Sequence, residues 1–226
     1  MFIKFILNKP YKHIIRGEKI MRILKKINKG LILTIIVLVV LIIYLTNVEK
    51  QRGADKPAIQ KACEEYIALT DKYVVLPEEM QTFTGEISKE NEEKLKKELK
   101  EELEKQMIKN DEAIEIQYEY ILEELKNGYR TVNEVRTKNK RTITKISSYE
   151  FDGDQVTVTL KTSVESTYKY IEEDTGTEKE RQNAISNTDD EIILQKVDGQ
   201  WKVVYSDMKF DNNNDIYYYT DSMVMY

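Results

Sequence analysis

"LQKVDGQWKVVYSD", Leu194–Asp207, is the stretch whose reading decides the fold of this 226-residue chain. Asp198-Gly199 is a preferred dipeptide for two-residue hairpin turns, in which both central residues take positive φ. With such a turn, Val197 faces Gln200, Lys196 faces Trp201, Leu194 faces Val203 and Ile192 faces Tyr205. Ile192, Leu194, Lys196, Trp201, Val203 and Tyr205 then share one side of the sheet. Ile193, Gln195, Val197, Gln200, Lys202 and Val204 take the other, more polar side. The first set is expected to face the core, with the Lys196 stem lying over the indole. Burying one such ring contributes roughly 2–3 kcal/mol. Trp201 therefore reads as packing rather than as a ligand platform.

The same two-residue period runs upstream. Val156, Val158, Leu160, Thr162, Val164, Ser166, Tyr168 and Tyr170 alternate with polar neighbours from Gln155 to Tyr170. A strand usually has ~5–6 residues, so one this long must twist and bend to stay on a single core. Asp152-Gly153 separates it from an earlier strand, about 141–151, and "EEDTGTEKE" turns the chain at its far end. A third strand is expected over about 180–197 and a fourth over 200 to about 210.

Before residue 128 the period is helical. Pro57 is read as opening a helix that runs to about Tyr73, since an early helical position has no use for its missing N–H. Ile59, Ala62, Cys63, Tyr66, Ile67, Thr70 and Tyr73 form its buried stripe. Cys63 is the only cysteine, so there is no internal disulfide and a small buried hydrophobe is expected. Ser88 is an N-cap for a charged helix over 88–110, whose Leu95, Leu99, Leu103 and Met107 make a narrow stripe. Packing on its own domain is favoured for that stripe over a coiled-coil partner. A third helix covers Asp111–Asn127, with Asn127-Gly128 read as a left-handed cap.

Residues 30–48, "GLILTIIVLVVLIIYLTNV", carry no charge. As a helix they reach roughly 28 Å, close to the ~30 Å hydrocarbon thickness of a bilayer. No small-residue cleavage step follows, so an uncleaved transmembrane anchor is favoured over a secretory signal. Residues 1–29 hold nine Lys or Arg and one acid, and the chain after the anchor has a net charge of −13. The basic flank is expected in the cytoplasm and the rest outside. Met21 precedes a complete basic flank of its own and is an alternative start. The expected organisation is a cytoplasmic basic segment 1–29, a transmembrane helix 30–48, a linker 49–56, and an extracytoplasmic α+β domain 57–226. In that domain about three helices pack on a bent four-stranded antiparallel sheet.

Helices followed by a long meander that closes on Asp198, Gly199, Trp201, Lys202, Val203 and Val204 resemble the nuclear transport factor 2-like (cystatin-like) superfamily, over about residues 57–210. The resemblance implies a curved sheet wrapped on helices. That superfamily holds enzymes, binders and scaffolds alike, so it leaves function open. The layout is also similar to scaffold subunits of type IV secretion and conjugation machines.

Chemistry narrows the classes. His13, the sole histidine, lies ahead of the anchor, which removes Ser-His-Asp, Cys-His and His-ligated zinc arrangements from the exported part. No glycine-rich phosphate loop is present, and no cofactor or metal is expected. Asp152 with Asp154, Glu172–Asp174 and Asp189–Glu191 read as solvated turn and strand-end acids. Asp211, Asn213 and Asp215 have calcium-loop spacing, yet Ile216 replaces the required glycine and Ser222 the terminal Glu. A polar turn is favoured there over a weak cation site. The acidic exported part would repel nucleic acid. Aromatic residues mark interfaces, so Tyr217, Tyr218, Tyr219, Met223 and Tyr226 are the candidate partner-binding residues. The expected function is non-catalytic binding or scaffolding of envelope or membrane proteins, with self-association left open. The alternative is a ligand-binding or sensing module with a pocket between helices and sheet.

Sidedness is directly testable in chains lacking Cys63. A membrane-impermeant thiol reagent applied to intact cells is expected to label Thr175→Cys and leave Ile20→Cys untouched. The opposite labelling pattern would reverse the orientation.

Overall fold

The computed structural model describes residues 29–209. In chain order it has α1 (Lys29–Tyr73), a short 3-10 turn (Glu78–Met80), α2 (Lys89–Gln106) and α3 (Asp111–Asn127). The strands β1 (Glu134–Asp152), β2 (Gln155–Ile171), β3 (Glu178–Val197) and β4 (Gln200–Asp207) follow. The strands form one antiparallel sheet in sequence order. This is the α+β arrangement of three helices and four strands expected from the sequence. Contacts divide the chain into two units between Asp55 and Lys56.

In the first unit, α1 is long and apolar enough to cross a membrane, and none of its most apolar window is buried within the protein. Residues 49–56, expected as a linker, are helical, and Pro57 lies inside α1 rather than at its start. Proline costs a helix one hydrogen bond and crowds the carbonyl four residues earlier. That carbonyl belongs to Gly53, where even an added Cβ would meet nothing within 4 Å. The crowded turn therefore has room to relax, and water can serve the freed oxygen.

In the second unit, one face of each helix meets the sheet. Ile59, Cys63, Tyr66, Ile67 and Tyr73 of α1 are buried, as the stripe required. Burial pushes the Cys63 thiol up to about 12. Ser88 caps α2 by accepting the Asn91 N–H, and Leu95, Leu99 and Leu103 are buried within the domain. From α3, Ile114, Tyr118, Ile121, Leu122 and Leu125 complete the helical layer. Val156, Val158, Leu160 and Val164 of β2 face it from the sheet. Register shifts at Arg136/Lys138, Ile143/Lys145 and Ile146/Ser148 let the long β1 bend with its partner.

Three local readings change. Strand β1 starts at Glu134, seven residues before the expected Arg141, directly after the left-handed Asn133. The first hairpin loop is Gly153-Asp154, since Asp152 pairs with Gln155. Gly128 ends α3 in the right-handed region, with φ −73°. Its glycine identity answers to space instead: a Cβ there would lie 3.1 Å from the Leu125 carbonyl oxygen, 3.2 Å from Arg136 Cβ and 3.3 Å from the Val74 carbonyl oxygen.

The closing hairpin follows the expected register as far as Val203. Val197 pairs with Gln200, Lys196 with Trp201 and Leu194 with Val203. Asp198 and Gly199 both have positive φ, 51° and 79°. Beyond Val203 the ladder shifts by one residue, so Ile193 faces Tyr205 and Ile192 faces Ser206. This shift replaces the expected Ile192–Tyr205 pair, and the chain just after α2 docks on the outer edge of β4 at the same point. Ile108 N–H donates to the Val203 carbonyl at 2.9 Å, beside a parallel bridge between Met107 and Val203. Trp201 is half-buried and meets the Phe151 ring edge-on at 6.5 Å between centroids, while the Lys196 ammonium sits 5.6 Å from its own ring centroid. Its role is packing, as the alternation suggested.

Replacing a helical glycine by alanine ordinarily stabilises a protein by ~0.4–1 kcal/mol. At Gly128 the crowding reverses the sign. Gly128→Ala is expected to cost about 1–3 kcal/mol, read as a lowered urea midpoint by the fluorescence of the single tryptophan.

Candidate functional site

The inner face of the sheet carries polar groups where an ordinary core would be apolar. Three clusters follow one another along it. Nearest to β4, the Tyr66 hydroxyl of α1 donates to Gln117 Oε1 of α3 at 2.7 Å, and Ser206 Oγ approaches the same oxygen at 2.7 Å. Gln117 Nε2 donates to the Ser206 carbonyl at 3.1 Å. All three residues are buried, and burial drives the Tyr66 hydroxyl well above its ordinary pKa. Each polar atom dropped into the core here has a partner from a different element, which offsets its desolvation.

The second cluster spans the sheet. Arg141 on β1 and Asp190 on β3 form an ion pair whose side chains are both 0% exposed. Thr162 on β2 lies between them, donating to Asp190 Oδ2 at 2.5 Å and accepting from Arg141 Nη1 at 3.1 Å. Asp71 of α1 accepts the Arg141 backbone N–H at 2.6 Å and the Asn139 amide at 2.7 Å. Burial pushes the Asp71 carboxyl up, against the lowering by those two donors and by the Arg141 charge. The chain then closes the cluster itself. Past Asp207 it leaves the β3 ladder and turns under the sheet. The Met208 carbonyl accepts from the Tyr120 hydroxyl, the Lys209 N–H donates to Asp190 Oδ1 at 3.2 Å, and the Lys209 carbonyl accepts from Arg141 Nη2 at 2.5 Å. Met208 is fully buried.

At the third cluster Arg136 donates to the Tyr168 hydroxyl at 3.1 Å and to the carbonyls of Val74 and Glu124. The Glu124 carboxylate is 3.8 Å away. Arg136 lies 5.5 Å from the Tyr168 ring centroid, and Arg181 of β3 lies 5.1 Å from it. From here outward the helices no longer cover β3. Asn183, Arg181 and Lys179 are exposed on the side that carries Val164, Ser166 and Tyr168 of β2.

Asp190 departs most from the sequence reading. Expected as a solvated strand-end acid, it is the most enclosed carboxylate of the sheet because its place opposite Leu160 turns it to the inner face, where Arg141, Thr162 and the Lys209 N–H meet it. Its neighbours Asp189 and Glu191 are exposed, as expected. Arg141, Asp71 and Gln117 had no sequence signal beyond a polar residue at an inward position. Among the described residues no group of three or more His, Cys, Asp or Glu is arranged to hold a metal. Tyr217, Tyr218, Tyr219, Met223 and Tyr226, and the Asp211–Asp215 turn, lie outside the described residues.

No protein-family model and no curated protein matches the sequence. Among solved structures, the chain is similar to a nuclear transport factor 2-like superfamily protein from Salmonella enterica serovar Typhimurium. The two share 10% identity with a TM-score of 0.29, over 74% of this chain and 99% of that one. It is also similar to a putative calcium/calmodulin-dependent protein kinase II association domain from Xanthomonas campestris. Here identity is 16% and the TM-score 0.18, over 38% of this chain and 52% of that one.

Removing one member of a buried pair leaves the other charge without its partner. Arg141→Met is therefore expected to cost about 3–5 kcal/mol. The double variant Arg141→Met with Asp190→Leu is expected to lose less than the sum of the two single changes, measured by urea unfolding of all four chains.

Proposed function

We propose that this protein is a membrane-anchored, non-catalytic binding or scaffolding subunit. The apolar part of α1 holds it in the bilayer, residues 1–29 stay in the cytoplasm, and the α+β domain stands outside. There it engages envelope or membrane proteins through its C-terminal segment, with Tyr217, Tyr218, Tyr219, Met223 and Tyr226 as contact residues. The observation that carries the reading is the uncovered apolar surface of α1. Leu31, Leu33 and every residue from Ile35 to Leu45 are about half exposed or more among the described residues. So much apolar surface needs a hydrocarbon environment.

What supports binding over chemistry is the state of the inner face. The groups best suited to act on a ligand, Arg141, Asp190, Tyr66 and Gln117, are engaged with one another and with the backbone of Ser206 and Lys209. The same engagement weighs against a ligand pocket between helices and sheet, since a ligand would have to displace the chain's own segment. Partner contact then falls to the surface and to the aromatic segment.

A photo-reactive residue in place of Tyr218, activated in intact cells, is expected to give a discrete adduct with a membrane or extracytoplasmic protein. The same residue at Lys97, on the exposed face of α2, is expected to give none. If Tyr218 yields no intermolecular adduct, the binding role of the segment is lost.

A further inference from the structure

The inner face of the sheet is covered unevenly. Over β1 and β2 the helix ends reach as far as Arg136 and Ser166, both buried. Over β3 they do not. Ile185, Asn183, Arg181 and Lys179 pair with Val164, Ser166, Tyr168 and Tyr170, so they point to the same side, yet Ile185 is only partly buried and the other three are exposed. β4 pairs with β3 only from Glu191 to Val197, so among the described residues the backbone edge from Glu178 to Asp190 has no neighbouring strand. One end of the sheet thus offers an open face and an open edge together.

The chain itself is aimed at this place. At Lys209 the backbone is gripped on both sides, its N–H by Asp190 and its carbonyl by Arg141. Those two residues stand on β3 and β1 just beside the Thr162–Thr188 pair, where the open stretch begins. Seventeen residues follow, 210–226. Extended, they reach ~56 Å, whereas Thr188 to Lys179 spans only ~30 Å at ~3.3 Å per residue. Chemistry agrees with length. On the open face the two cations of β3 are already paired: Lys179 with Glu172 and Arg181 with Glu134. Beside them lies the partly exposed apolar and aromatic surface of Ile185, Tyr168 and Tyr170. The segment contains no Lys or Arg and is rich in matching side chains: Phe210, Ile216, Tyr217, Tyr218, Tyr219, Val224 and Tyr226.

We propose that residues 210–226 dock in cis on the open half of the β3 inner face and along its Glu178–Asp190 edge, with Lys209 as the fixed point. The docking itself does not require any partner.

Hydrogen exchange on the purified full chain in detergent tests it with no partner present. The amides of 178–187 are expected to exchange about tenfold faster in a chain ended after Lys209, and also in a full-length Tyr217→Ser, Tyr218→Ser, Tyr219→Ser variant. Amides of α3 should keep their protection in both, which reports an intact fold. Unchanged exchange at 178–187 with α3 still protected overturns the docking. A second measurement fixes the source of the segment. With Cys63 replaced by Ser and Asn183 by Cys, single cysteines are scanned through 212–222. Disulfide-closed monomers are expected at one or more positions. Disulfide-linked dimers alone, or no disulfide at any position, overturn docking in cis. A partner adduct from Tyr218 in cells speaks to the binding role alone, so the two proposals fail separately.

Discussion

Val204 is the extra residue in β4, and the side of the sheet on which every later atom falls depends on it. Because side chains alternate along a strand, one added residue exchanges the inward and outward sets. Before it, Trp201 and Val203 pack with Leu194. After it, Ser206 rather than Tyr205 turns inward, to reach Tyr66 and Gln117. Met208 then enters the core and Lys209 comes between Arg141 and Asp190. Without the shift, a tyrosine would sit where the serine hydroxyl completes a tight three-way junction of α1, α3 and β4. Next to it, on the free edge of β4, the residue pair that follows α2 docks on Val203, with Ile108 N–H donating to its carbonyl.

Most elements were legible because their periods were strong. Leu95, Leu99 and Leu103 repeat every four residues, Val156 to Ser166 every two, and both stripes are buried. Ser88 and Asp198-Gly199 marked an end and a turn by chemistry that is local to the chain. What was not legible depends on long-range contact. The first part of β1 has Arg136, Asn139 and Arg141 at or near inward positions and a bulge after Arg136, so it shows no apolar alternation. Asp190 reads as a surface acid until β1 brings a guanidinium to it from 49 residues away. Gly128 looks like a conformational glycine, although it is small because Arg136 and Val74 approach it. For Asp190 and for the Val74 contact of Gly128 the deciding neighbour is distant in sequence, where a single chain's pattern carries no signal.

The polar seam makes the domain demanding to fold. Tyr66, Gln117, Ser206, Arg141, Asp190 and Thr162 come from six elements, and burying any of them before its partners arrive exposes the full desolvation cost. Such a network favours one arrangement of helices on the sheet over slipped ones, since an alternative packing would strand polar groups in an apolar layer. The apolar rows of β2 supply the driving force for collapse, and the seam selects among the collapsed forms.

Cys63 has a separate consequence. Its thiol is fully buried on α1 and held protonated by its surroundings. The thiolate is the species that attacks disulfides and is oxidised, so the only cysteine of the chain is chemically silent once the domain has folded. A folded domain with this arrangement can meet oxidants and other thiols without entering mixed disulfides. Its redox vulnerability is confined to the interval before α1 meets the sheet.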